Sequence, residues 1–470
     1  MLLASILATA LSLTAPAEWG ELCEFLRFPS VSTDPAHRTD CERCADWLVA
    51  WLTPLGFTCE KLGGTAERSE TAEGRERAPV LFAERRGKPG TKSLLVYGHY
   101  DVQPAALADG WATPPFEPTL KGDAVYARGA SDNKGQIFAF LCGTREYLKG
   151  HAADAPTIRL LIEGGEESGS IVLTDVLAKH PKEKFLSDVL TVCDASALPD
   201  MRMSLTVAFR GIVHLSVRVK GARRDLHSGQ FGGVAPNALQ GLTEMLASLH
   251  NPDGSVAVEG FYDGIVPPPA DQLALAEKHG KSQAVFEEEM GTTASGGERG
   301  RSVVERNAFR PTLELNGFSS GYAGAGLRTS IPCEAVAKLS GRLVPGQDPQ
   351  AVEGAICRHL KARCPAGLTC EIETWGPSPA VCFRTDEPVF EMAKRALDEV
   401  DPRGTVFQWN GATIPVLSKL VGYGRSAPLM VGFGQASNRT HATNENFSRR
   451  QFEMCRLWAQ RLLAVLTEKR

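Results

Sequence analysis

The stretch TIRLLIEGGEE, residues 157–167, is an apolar run of strand length that ends on two glycines and then on two adjacent carboxylates, Glu166 and Glu167. Like charges repel, and burial strengthens the repulsion, so the pair needs a reason to stand where a strand leaves the interior. Three more short apolar runs end in the same manner. SLLVYGHYD (93–101) closes on His99 and Asp101, DVLTVCD (188–194) on Asp194, and PLMVGFG (428–434) is followed closely by His441. Runs of this length between glycines and helical segments predict buried strands of an α/β sheet. Ligands of open α/β sheets gather at the carboxyl ends of the strands, where these imidazoles and carboxylates collect.

The chain is 470 residues long, and at roughly 150 residues per domain that length predicts two or three domains. From about Leu205 to about Pro377 the texture changes. SLTVAFRGIVHLSVRVKGA (204–222) and PCEAVAKLSGRLVPG (332–346) alternate as strands with one wet face, NALQGLTEMLASLH (237–250) and AVEGAICRHLKARC (351–364) have helical spacing, and LTCEIETW (368–375) is a strand. The expected fold class is α/β: a domain with a mixed, largely parallel sheet flanked by helices, interrupted by an inserted α+β domain. The expected boundaries are 1–204 and 378–470 for the sheet domain and 205–377 for the insert.

A net charge of -4 with 23% charged residues gives no basic footprint for nucleic acid. The N-terminal apolar segment, residues 1–17, falls short of the ~20 residues of a membrane span. It ends in a small-x-small pattern without a basic start, so it is either a secretion signal, for a secreted or periplasmic enzyme, or an amphipathic first helix. Twelve cysteines without regular spacing favour reduced thiols and the cytoplasm. Cys41 and Cys44 form a lone CxxC pair behind Asp40, expected as the N-cap of an ordinary helix ending at Gly56.

Imidazoles and carboxylates without cysteine suit Zn²⁺ or Mn²⁺, and two cations about 3.5–4 Å apart would hold several converging carboxylates together. His99 and Asp101, two apart on an extended chain, point the same way, so Asp101 can fix the imidazole tautomer. Asp132, in RGASDNKGQ (128–136), can bridge two cations from a loop, or else form an N-cap or Asx turn. Of the adjacent glutamates, one would bind metal and the other take a proton from water held there and pass it to a leaving amine, the logic of metal-assisted amide hydrolysis. Gly164 and Gly165 are expected to give the tight exit from the strand.

YGHYDVQP (97–104), RGASDNKGQ, EGGEESGS (163–170), CDAS (193–196), DLHSGQFGG (225–233) and HATNENF (441–447) resemble, in order, the motifs of the M20 family of dinuclear metallopeptidases, in particular its carnosinase-like dipeptidase branch. The likeness runs from FLRFPSVSTDPA (25–36) to the C-terminal helix. It makes the sheet domain the catalytic domain and the insert its lid. It implies two divalent cations, Zn²⁺ before Mn²⁺ or Co²⁺, with His99 and Asp194 on one, Glu167 and His441 on the other, and Asp132 bridging. Glu166 matches the general base and Asp101 the residue that orients the histidine. His227 matches a lid histidine that reaches the partner subunit's site and stabilises the oxyanion, which implies a homodimer through the lid. Arg342, Thr329, Gly411 and Thr413 match positions that hold the substrate carboxylate.

The implied activity is hydrolysis of dipeptides or short peptides. The alternatives are an N-acyl amino acid amidohydrolase on the same metals and a silent peptide-binding protein on the same fold. One segment departs from the family's Arg-Glu-Gly-Gly-Ser-Ile-Pro-like pattern: QWNGATIP (408–415), with Trp409 and Asn410 in place of the charged pair. An indole there is expected to favour apolar or aromatic substrate side chains.

Overall fold

The computed structural model describes residues 17–63 and 78–468. The apolar N-terminal segment, up to residue 16, lies outside the described residues. The chain forms two compact units: Met1–Leu205 with Asp386–Val406 and Lys419–Arg470, and Thr206–Thr385 with Phe407–Ser418.

In the first unit the strands lie in the order Thr58–Leu62, Val80–Arg85, Ile158–Glu163, Leu94–His99, Val189–Val192, Leu429–Met430. The last four run parallel to one another, and Val80–Arg85 runs antiparallel to both of its neighbours, a mixed, largely parallel sheet. Leu94–His99 is buried at every position, as a strand covered on both faces must be. Helices Arg38–Leu52, Lys134–His151 and Ile171–Lys179 pack on these strands. The C-terminal helix Arg449–Thr467 lies along Lys134–His151. Their close approach depends on Gly143, where a Cβ would sit 2.2 Å from the Arg456 carbonyl oxygen.

Two local expectations need correction, the cap of the first long helix and the wet face of the run 204–209, while the expected ordinary helical pair of cysteines stands. Asp40 lies in the first turn of its helix rather than at the cap, which is His37, and the two bond side chain to side chain at 3.0 Å. Cys41 and Cys44 are buried on that helix, and burial pushes the Cys41 thiol up to about 12, an inert apolar group. The run 204–209 has no wet face: Ser204–Phe209 is buried at every position, and the alternation belongs to Gly211–Lys220.

The second unit is built on antiparallel strands in the order Thr312–Ser320, Glu334–Leu343, Gly211–Lys220, Thr369–Thr374. Helices Ala238–Ala247 and Pro349–Ala362 cover one face and bury Val213, Leu215, Val217, Leu242, Ile356 and Leu360. Each helix starts at a side-chain cap, Asn237 and Asp348, that accepts two backbone N–H groups.

Candidate metal centre

His99 ends its strand with an imidazole only 1% exposed. Its Nδ1 lies 3.3 Å from Asp101 Oδ1 and 3.1 Å from the Asp101 carbonyl oxygen. Its Nε2 is thereby turned to Asp132 Oδ1 at 3.0 Å and Asp194 Oδ2 at 3.7 Å. The other Asp132 oxygen meets His441 Nε2 at 3.0 Å, and that nitrogen lies 3.3 Å from Glu167 Oε1. Two triads result, His99–Asp132–Asp194 and Asp132–Glu167–His441, and they share Asp132. The helix after Asp132 is Lys134–His151 with Asn133 at its cap position, so the Asp132 carboxylate is not spent on a cap.

Three polar residues build this geometry without standing in a triad. The buried Asp101 accepts the backbone N–H of Glu166 (3.2 Å) and Glu167 (3.0 Å) and the Ser32 hydroxyl (2.7 Å), besides facing His99. One carboxylate thus aligns an imidazole and the loop that bears both glutamates. Asn133 donates to Asp194 Oδ1 (3.2 Å) and accepts from the His99 N–H (3.3 Å). Glu445, fully buried, accepts from Arg128 Nη1 (2.8 Å) and from the N–H groups of Gly129 (2.9 Å), Ser131 (2.8 Å) and Asp132 (2.9 Å). It holds the loop that presents Asp132. A buried carboxylate persists when it is so fully hydrogen-bonded.

The exit from the Glu163 strand differs from the expected turn. Gly164 is needed for close approach, since a Cβ there would meet the Tyr100 hydroxyl at 2.3 Å, whereas at Gly165 the nearest atom would be 3.5 Å away. The left-handed residues come after the glutamates, at Gly169 (φ 91°) and Ser170 (φ 54°). Glu163 Oε1 accepts from the Ser170 hydroxyl (2.9 Å) and from Tyr97, closing the loop at its base.

The electrostatics describe a site short of positive charge. Burial raises Glu166 to about 7, and the Glu167 and Asp101 charges add to it against the attraction of His99. Burial and the Asp132 charge also hold Asp194 well above the carboxylate range. Burial opposes protonation of His99, yet its bonds to Asp101 and Asp132 lift it well above its ordinary value. His441, bonded to Asp132 and Glu167, rises to about 10. Glu167 Oε1 is buried without a hydrogen bond of good geometry. Convergent acceptor oxygens, two imidazole nitrogens and an orphaned buried oxygen fit a pair of divalent cations.

The other candidate residues lie in the second unit. His227, exposed, accepts the Gly229 N–H through Nδ1 at 3.0 Å, which leaves the proton of the neutral ring on Nε2 as a donor. Its strand pairs with Ser330, and Thr329, next along, accepts the Ser228 N–H through its carbonyl at 3.0 Å. Arg342 donates to the Thr413 hydroxyl at 2.6 Å, close to Gly411 in sequence. Trp409 departs from its expected role: only 8% exposed, it stacks on Phe309 with ring centroids 4.5 Å apart and donates its indole N–H to Gln272. Its faces are spent on packing.

The model of peptidase family M20/M25/M40 matches residues 95–464. The chain is 28% identical over 434 residues to the Cys-Gly metallodipeptidase DUG1 of Candida albicans, covering 89% of this chain and 88% of that one. It is also 28% identical over 435 residues to the human Beta-Ala-His dipeptidase, covering 89% and 84%. Among solved structures it is similar to the M20 family metallo-carboxypeptidase Sso-CP2 from Sulfolobus solfataricus, with a TM-score of 0.82 and 27% identity over 96% of this chain and 100% of that one.

Proposed function

Since the chain belongs to peptidase family M20/M25/M40, we propose that it is a dinuclear metal-dependent dipeptidase that hydrolyses unblocked dipeptides or short peptides. The observation that carries this reading is the pair of triads sharing Asp132, with Glu166 beside the ligand Glu167. In this reading His99 and Asp194 hold one cation, Glu167 and His441 the other, and Asp132 both. Zn²⁺ suits the set, with Mn²⁺ or Co²⁺ as alternatives. When bound, the two cations supply the positive charge that polarises the scissile carbonyl and acidifies water.

The rest falls to the protein. Glu166 takes a proton from the attacking water and returns it to the leaving amine, a task suited to a carboxylate whose burial draws its pKa toward neutrality. Asp101 keeps His99 in one tautomer and fixes the glutamate loop. His227 donates a hydrogen bond from its Nε2–H to the oxyanion in the partner subunit's site, which requires a homodimer through the lid. Arg342, Thr413, Gly411 and Thr329 receive the substrate's free carboxylate, for which a guanidinium fork is well shaped. Residues 1–204 and 378–470 form the catalytic domain and 205–377 the lid, a reading supported by the first unit's containing every residue of the two triads, with the difference that residues up to Thr385 and Phe407–Ser418 group with the second unit. A cytoplasmic location goes with twelve free thiols.

The test is metal analysis and assay of the same preparation. Protein stripped with chelator and reloaded with Zn²⁺ or Mn²⁺ is expected to hold two ions per chain and to cleave Ala-Ala, Cys-Gly or β-Ala-His faster than N-acetyl amino acids. Fewer than two ions, or a preference for the N-acetyl compounds, would sink the reading.

A further inference from the structure

Arg210 stands between the strands Ser204–Phe209 and Gly211–Lys220, outside the six family motifs quoted above, and is 8% exposed. Its backbone N–H donates to the Ala412 carbonyl at 3.1 Å and its Nε to the Gly411 carbonyl at 2.7 Å. Nη1 donates to the Arg310 carbonyl at 3.3 Å. The next residue continues the grip, since the Gly211 carbonyl accepts the Thr413 hydroxyl at 3.2 Å. The residue after that, Ile212, pairs in register with Arg342, whose Nη1 donates to the same Thr413 hydroxyl. Arg210 and Gly211 therefore hold the Gly411–Thr413 turn, and the pairing of Ile212 sets Arg342 beside it. The fit is close, because a Cβ on Gly411 would sit 2.4 Å from the Asn307 carbonyl oxygen.

The charge is uncompensated as well. Among the described residues neither Arg210 nor Arg342 forms an ion pair with a carboxylate. Burial and the neighbouring Arg342 charge bring Arg210 down to about 10, against a pull from Glu314, and burial lowers Arg342 as well. Two partly desolvated cations that share one turn form a place for an anion.

We propose that Arg210 is a positioning residue for the carboxylate subsite: it clamps the Gly411–Thr413 turn so that Thr413 and Arg342 face the free carboxylate of a dipeptide. The inference rests on the dipeptidase reading above. It makes Arg210 a determinant of the preference for a free C-terminal carboxylate over a neutral C-terminus.

The readout is the ratio of kcat/KM for Ala-Ala to that for Ala-Ala amide, measured on the metal-loaded enzyme with metal content and Tm recorded alongside. Arg210→Met is expected to raise KM for Ala-Ala about tenfold, to change kcat less than about threefold, and to lower the ratio about tenfold. Arg210→Lys keeps the charge but has one nitrogen for two acceptors, and is expected to fall between wild type and Arg210→Met. A folded, metal-replete Arg210→Met with an unchanged ratio overturns the proposal. If Arg210→Met does not fold, Arg210→Lys decides by the same ratio, an unchanged value again overturning it. Wild type that fails to cleave Ala-Ala, or an Arg342→Met variant with an unchanged ratio, removes the dipeptidase reading and this inference with it. A lowered ratio in Arg342→Met beside an unchanged one in the Arg210 variants removes the inference alone.

Discussion

Asp101 Oδ2 accepts the backbone N–H of Glu167 at 3.0 Å, tying the end of the His99 strand to the loop that leaves the neighbouring strand. Because the same carboxylate faces His99 Nδ1, the imidazole and the glutamate loop are positioned by one buried group. Asp101→Asn keeps the shape but turns an N–H₂ toward groups that need an acceptor. Its divalent-cation affinity is expected to drop about 10–100-fold, read by competition with a chromogenic chelator. Affinity equal to wild type would remove Asp101 from this role.

Glu166→Gln removes a proton acceptor and leaves both triads intact. Turnover of Ala-Ala is expected to fall roughly 10²–10⁴-fold while elemental analysis still finds two ions per chain. A variant of normal kcat refutes the assigned base, and one that loses metal moves Glu166 into the ligand set.

Glu163 supplies a pH dependence. Burial raises its pKa from the ordinary 4.5 to about 7, so the folded chain keeps a proton that the unfolded chain gives up in that interval. The unfolded state then binds fewer protons, and stability falls as pH rises from 4.5 through 7. The loss is on the order of 3 kcal/mol for a shift of this size. Gln at this position mimics the protonated acid: its carbonyl can accept from Tyr97 and Ser170, and its amide takes the place of an oxygen, Oε2, that has no hydrogen-bond partner. In metal-stripped protein, urea denaturation at pH 4.5 and pH 8 is expected to give a smaller decline for Glu163→Gln than for wild type. Equal declines would contradict the assignment.

Trp409→Ala opens a cavity beside Phe309 and strands the Gln272 carbonyl. Stability is expected to drop by about 3–5 kcal/mol, as for other buried aromatic truncations. Because the indole is spent on packing, the relative kcat/KM for Ala-Ala and for aromatic dipeptides is expected to stay constant, even where KM rises for all of them. A shift in that ratio would return Trp409 to the substrate.

How far the sequence could be read depends on distance along the chain. Apolar runs that end on His99, Glu166 and Glu167, and Asp194 disclosed the strands, because a buried parallel strand is mostly apolar along its length and gathers its polar residues at or just beyond its end. The texture of the insert was legible for the same reason: alternation and helical spacing are local signals. Boundaries that rest on capping were less so, since His37 and Asp40 lie three apart and either type can start a helix.

Glu445 shows what local pattern withholds. It stabilises the Asp132 loop from 317 positions beyond Arg128, and nothing near it in sequence announces four donors. The same holds for Arg210, whose side-chain acceptors lie 100 and 201 residues away, and for Trp409, which only the placement of Phe309 and Gln272 identifies as packing.

By itself the sequence determined the strand ends, the kinds of side chain assembled there and their order, because hydrophobic periodicity and residue chemistry are properties of short segments. Tertiary structure alone decided that Asp132 lies between His99 and His441, that Asp101 aligns an imidazole and two glutamates at once, and that Gly164 rather than Gly165 must lack a side chain. Those outcomes are set by which buried groups satisfy one another's hydrogen bonds and volumes across the fold, and that matching exists only once the elements have packed.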